Sequence, residues 1–291
     1  MSELWIILTG ALVAISCGLL GSFLLLRKMA MVGDAISHAV LPGIVISFLI
    51  TGSRESIPML IGAGLIGVLT TFLIEMMHSK LKLQEDASIG VSFTFLFALG
   101  VILISQFADK IDLDQDCVLY GDLAMIPFDQ ISFGSGIDIG PRAFYISLIN
   151  LVLIIAFIII SYKELLITTF DQSYASFIGI SATAWHYALM SSVSFTTVTA
   201  FESVGAILVV AFLVVPAATA YLLTNKLKQM LFLSALFGIL SSVGGYYLSS
   251  YYDSSIAGAM SVVAGLLFAI VFAYTRLSNS RKTVEKLEFN V

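Results

Sequence analysis

Apolar residues run through this chain in stretches of about 20, which is the length a helix needs to cross the hydrocarbon core of a bilayer. Nine such runs can be delimited: 4–26, 29–50, 57–78, 86–106, 143–162, 182–201, 203–224, 229–250 and 255–275. They predict an all-α, polytopic membrane bundle of about nine spans, with eight to ten as the bounds, since 182–224 can be divided in more than one way. Short polar connections separate most of the runs. Two connections are longer: 107–142 and 163–181.

Basic residues orient the spans, because they gather in cytoplasmic loops. With the N-terminus outside and the C-terminus in the cytoplasm, the inner side receives Arg27, Lys28, Lys80, Lys82, Lys163, Lys226, Lys228, Arg276, Arg281, Lys282 and Lys286. The outer side receives only Arg54, Lys110 and Arg142. Composition agrees with a membrane protein: 59% of the residues are hydrophobic and 11% charged, against about a quarter charged in a soluble domain. Cys17 and Cys117 are too far apart for a disulfide framework or a zinc pair to be read from them. No basic tract suggests nucleic acid, and no cleavable signal is evident ahead of the first run.

The outer connection 107–142 is rich in Asp, but it lacks the glycine and terminal Glu of a calcium loop, so it reads as a solvated segment with a docking face. In the inner connection, Asp171 can cap a short helix and Gly179 can end it. Such a helix is too small to fold alone and calls for something to dock into. The remainder, 276–291, reads as a short charged cytoplasmic tail.

The chemistry concentrates in Gly33-Asp34-Ala35-Ile36-Ser37-His38-Ala39-Val40-Leu41-Pro42-Gly43. An acid and an imidazole one turn apart inside an apolar run mark an ion or proton pathway, because ionisable groups are expensive in hydrocarbon. Pro42 has no N–H for the His38 carbonyl. A carboxylate, a ring nitrogen and a carbonyl oxygen suit a divalent first-row metal. Counted from the run's inner end, Asp34 and His38 lie one to two turns deep. As plain structure, Asp34 can cap a broken helix and His38 can bond a neighbouring carbonyl; the spacing and the Pro-Gly break favour the pathway. Glu202, between two runs, is either an outer-interface residue or a cation-attracting carboxylate, and residue chemistry does not separate the two. His186 lies about 24 Å along the same helix from Glu202 at 1.5 Å per residue, a weaker candidate that cannot share one ion with it. Glu75 and His78 form an inner-interface cluster without an assigned role. Pro216 breaks a helix amid small residues, as a gating hinge or a packing kink.

No Gly-rich phosphate loop ending in Lys-Ser/Thr and no His-Glu-x-x-His occurs, and no catalytic triad is recognisable, so the chain is expected neither to bind ATP nor to act as an enzyme. Several stretches together resemble the metal-ion (manganese/zinc/iron) permease family of ABC transporters: 33–43, 117–129 (CVLYGDLAMIPFD), 162–171 (YKELLITTFD), 201–224 (FESVGAILVVAFLVVPAATAYLLT) and 253–260 (DSSIAGAM). The resemblance covers about residues 10–275 in matching order. It implies one permease domain over 1–275, type II ABC importer-like, in a bacterial cell membrane. Its partners would be a second permease subunit (identical or related), two cytoplasmic ATPases and an extracytoplasmic metal-binding protein. No bound cofactor is implied: the ion, Mn²⁺ or else Zn²⁺ or Fe²⁺, is cargo, and ATP is used by the partner. The segment 164–181 is similar to the coupling helix of such subunits, with Ala175 and Gly179 in matching places; Asp171, read as its cap, completes the expected ATPase-coupling set. Asp34, His38 and Glu202 carry over as pathway residues; Pro42, Gly43 and Pro216 are read from the residues themselves as helix breaks or gates. The form Phe201-Glu202-Ser203-Val204-Gly205 leans toward the manganese branch. From the residues alone, a stand-alone proton-coupled cation carrier or channel is the competing reading.

Overall fold

The computed structural model describes residues 2–52, 56–107, 123–133 and 137–288. Its helices are α1 (Ser2–Leu26), α2 (Val32–Ala39), α3 (Leu41–Thr51), α4 (Ser56–Leu81), α5 (Glu85–Phe107), α6 (Arg142–Ile160), α7 (Tyr162–Phe170), α8 (Gln172–Phe177), α9 (Ala182–Val204), α10 (Ala206–Leu223), α11 (Leu227–Tyr252) and α12 (Ile256–Glu288). With α2 and α3 taken as one span, each of the nine apolar runs becomes a membrane-length helix. Eight of these are long and apolar enough by composition alone. The ninth, α9, is diluted by Ser and Thr. Ser194, Thr196 and Thr197 are nonetheless fully buried, so α9 is polar because it faces other helices rather than lipid.

The bundle has two halves. In one, α1 packs against α6, α10 and α11, and α12 covers α10 and α11; in the other, α2, α3, α4 and α5 pack together. Helix α9 touches α1 and α4 and joins them. The core is an aliphatic and aromatic interior centred on Leu20, Phe23, Ile36, Leu189, Leu208 and Phe212, all at or near zero exposure. Close helix approach rests on small residues. A Cβ at Gly21 of α1 would run into the Leu213 carbonyl of α10. Gly21→Ala is therefore expected to cost about 1–3 kcal/mol through overpacking, read as a lower melting temperature of the purified subunit. An unchanged melting temperature would mean that this crossing is loose.

Several sequence expectations are revised. The connection 107–142 is not wholly irregular: β1 (Gln130–Phe133) pairs antiparallel with β2 (Ile137–Pro141) after a 3₁₀ turn at Ile126–Phe128. The acidic stretch 109–116 lies outside the described residues. Pro216 does not break a helix, because α10 runs through it without interruption and buries it. The break near 202 falls instead at Gly205, whose φ of 78° and ψ of 161° suit only glycine. The stretch 276–288 continues α12 as helix to Glu288, in keeping with a segment that has neither Gly nor Pro.

Candidate functional site

Helices α2 and α3 are nearly continuous. Val40 between them keeps helical dihedrals (φ −72°, ψ −17°), and its carbonyl accepts from the N–H groups of both Gly43 and Ile44. Pro42 falls in the first turn of α3, where its missing N–H costs least. Gly43 has a packing role: its backbone lies against Gly62 of α4, and a side chain at either would strike the other's carbonyl. The Pro-Gly pair thus opens α3 without a helix-breaking cost, and its glycine seats the span on α4.

On the α2 turn before Pro42, His38 Nε2 lies 3.6 Å from Asp34 Oδ1, with the two side chains 39% and 36% exposed. Two donors on one ion at about 2.1 Å each stand about 3.0 Å apart in a right-angled arrangement and about 3.4 Å apart in a tetrahedral one. The observed separation is longer than a hydrogen bond, and a small adjustment brings it into this range. Phe93 and Phe97 of α5 flank the imidazole, with ring centroids 6.0 and 6.1 Å away. They provide an apolar wall, and the exposed side of the pair faces away from the chain's own core. The Ser37 hydroxyl donates to the Asp34 carbonyl at 2.5 Å.

The pair sits deeper than counting along the sequence suggests. Gly67 of α4 backs directly onto Ser194 of α9, and Ile36 of α2 meets the same point. Ser194 is the middle of α9, eight residues from His186 and eight from Glu202, about 12 Å either way at 1.5 Å per residue. Asp34 and His38 therefore lie near mid-bundle rather than one to two turns from an end. Glu202 belongs to the last turn of α9, and its side chain lies outside the described residues. The structure brings Asp34 and His38 together and keeps His186 apart from them.

His186 instead meets a residue that the sequence left without a role. Its Nε2 is 3.2 Å from Glu75 Oε2 of α4, the side chains being 13% and 26% exposed. They line a cavity of about 580 Å³ with Arg27, His78, Thr169 and Gln172. Arg27 Nε donates to Thr169 Oγ1 at 3.1 Å, and its Nη2 donates to Thr168 Oγ1 at 3.0 Å. Burial lowers the Arg27 pKa from 12.5 to about 10, which leaves it charged at neutral pH. Only the proximity of α4 and α9 reveals the Glu75–His186 pair. Among the described residues, no three His, Cys, Asp or Glu converge on one point.

Asp171, Ala175 and Gly179 form one unit. An Asp171 carboxylate oxygen accepts from the Tyr174 N–H at 2.8 Å and caps α8. At the other end, Gly179 (φ +84°) lets its own N–H reach the Ser176 carbonyl and the Ile180 N–H reach the Ala175 carbonyl, a paired closure that glycine favours. Ala175 is buried on the inner face, while Tyr174, Phe177 and Ile178 are exposed. Phe177 at 87% exposure is a large apolar side chain without cover, and sequence reading passed over it.

A family model described as the ABC 3 transport family matches residues 3–275. The chain is 50% identical over 273 residues to the manganese transport system membrane protein MntD of Bacillus subtilis (strain 168), covering 94% of this chain and 92% of that one. It is 38% identical over 276 residues to the zinc transport system membrane protein TroD of Treponema pallidum (strain Nichols), covering 93% and 73%. Among solved structures it resembles PsaBC from Streptococcus pneumoniae in complex with Fab, with a TM-score of 0.75, 35% identity, and coverage of 92% and 90%.

Proposed function

The chain belongs to the ABC 3 transport family, and from that premise we propose that it is the permease subunit of an importer for divalent transition-metal ions, Mn²⁺ foremost. The name of its half-identical relative supports manganese; a zinc-named relative keeps Zn²⁺ as a competing cargo. The observation that carries the reading is the Asp34–His38 pair, held near mid-bundle beside the buried Ser and Thr of α9. A polar helix and a carboxylate–imidazole pair at that depth are costly in hydrocarbon and serve an ion path.

In this reading, the half-exposed side of the pair faces a second permease subunit, and the ion passes between the two. The hairpin end lies outside and receives a metal-loaded binding protein; Glu202, in the last turn of α9, attracts the cation there. Asp34 and His38 hold the ion in transit. At the other end, which faces the cytoplasm, α8 fits into a cleft of an ATPase, one ATPase per permease subunit. Its exposed Tyr174, Phe177 and Ile178 form the docking knob, and its capped ends make it rigid enough to transmit the nucleotide-driven motion.

The test is Mn²⁺ uptake into proteoliposomes. The reading expects uptake from the chain assembled with its ATPase, given the metal-loaded binding protein and ATP, and none from the chain alone. Transport by the chain alone would point to a proton-coupled carrier instead.

A further inference from the structure

The cavity at the α8 end holds a second carboxylate–imidazole pair that the reading above does not use. Glu75 and His186 come from different helices, α4 and α9, and their 3.2 Å separation falls between the right-angled and tetrahedral spans given above. His186 stands about 12 Å below the level of Asp34 and His38 along α9, one step nearer the α8 end. The cavity, about 580 Å³, has room for a hydrated ion. His78 lines the same cavity with its Nδ1 3.0 Å from the Leu83 carbonyl oxygen, and no third acid, imidazole or thiolate completes a metal-holding group with the pair among the described residues. A dication there would keep water in its remaining positions and be held weakly, as release requires.

Arg27 lines the same cavity. Its guanidinium is held by Thr168 and Thr169 of α7, and α7 leads directly through Asp171 into α8. The Arg27 charge opposes a cation in the cavity, and the two hydroxyls fix where that charge stands without neutralising it. We propose that Glu75 and His186 form an exit station for the transported dication, filled while Thr168 and Thr169 hold Arg27 and emptied when movement of α7 frees Arg27 to take the Glu75 carboxylate. The proposal rests on the permease reading and adds a site and a release step to it.

Equilibrium Mn²⁺ binding to the assembled complex, followed by electron paramagnetic resonance, tests this. In an Asp34→Ala/His38→Ala background one weak Mn²⁺ site is expected to remain. Adding Glu75→Gln and His186→Gln is expected to weaken it at least about tenfold, the lower end of what losing metal-site support costs. Glutamines keep a polar contact between α4 and α9, so a mere structural tie would leave metal binding unmoved. Equal residual binding with and without the glutamines overturns the proposal, as does the absence of residual binding. Should the fourfold variant fail to assemble, anomalous scattering from Mn²⁺-soaked crystals of the unaltered complex decides: a peak bridging Glu75 and His186 supports the station, and saturating Mn²⁺ with no peak there overturns it. The two readings fail separately, since normal uptake by Asp34→Ala and His38→Ala complexes counts against the mid-bundle site, whereas the exit station stands or falls on these binding results.

Discussion

Cells carrying Asp34→Ala or His38→Ala are expected to take up Mn²⁺ at least about tenfold more slowly than normal, because losing even an outer partner of a metal ligand costs on the order of 10–100-fold in affinity or activity. Subunit abundance is expected to stay close to normal. Both side chains are more than one-third exposed, so truncation opens no core cavity. Their mutual contact at 3.6 Å is too long to be a stabilising hydrogen bond. The loss would therefore be one of ion handling and not of folding, and immunodetection of the subunit beside radiolabelled uptake separates the two. Asp34→Asn sharpens the reading: it keeps the shape and one oxygen but removes the charge, and it is expected to fall near Asp34→Ala. Normal uptake in all three would remove the pair from the path.

The second large effect is expected at the opposite end of the mechanism. Phe177→Asp replaces an 87% exposed ring at the tip of α8 with a charge. Within the chain this substitution removes little packing, since the ring has little cover to lose, and an acid in the last turn of α8 costs at most about 1 kcal/mol at an exposed site. In the assembled transporter a buried aromatic anchor of this kind contributes about 2 kcal/mol or more, about 30-fold in affinity. The expected result is loss of ATPase co-purification with the subunit and loss of ATP-driven uptake. Gly179→Val is expected to act in the same direction by another route. A β-branched residue at φ +84° carries backbone strain of about 1–3 kcal/mol, which loosens the end of α8. Retained ATPase association and full uptake in Phe177→Asp would mean that α8 is not the contact.

Much of this architecture was legible from the chain because a bilayer imposes one length and one polarity on every span. Even α9 showed as an apolar run, although its Ser and Thr weaken it. The α8 unit was legible for a different reason: Asp171 and Gly179 are local signals whose partners lie within a few residues. Depth was not legible. Counting from the end of the run put Asp34 near the inner surface, but the connection from α1 to α2 is drawn into the bundle, with Arg27 bonded to α7 and Met29 packed on the core. The start of α2 is thereby lifted toward the middle. Nor could sequence spacing join Glu75 to His186, whose contact depends on α4 crossing α9. The hairpin at 130–141 escaped because two short strands carry too few alternations to stand out beside long apolar runs. Pro216 misled in the opposite sense, since α10 continues in buried surroundings through a residue that would break an isolated helix.

The central claim is that the ion in transit is ligated by the imidazole at mid-bundle. Pulsed electron paramagnetic resonance of Mn²⁺ bound to the assembled complex reads this directly, in a His186→Gln background so that the exit-side ring does not contribute. Nitrogen coupling from a ligating imidazole is predicted, and it should vanish on adding His38→Ala. Nitrogen coupling that persists unchanged after His38→Ala, or that is absent from the start, would contradict the account.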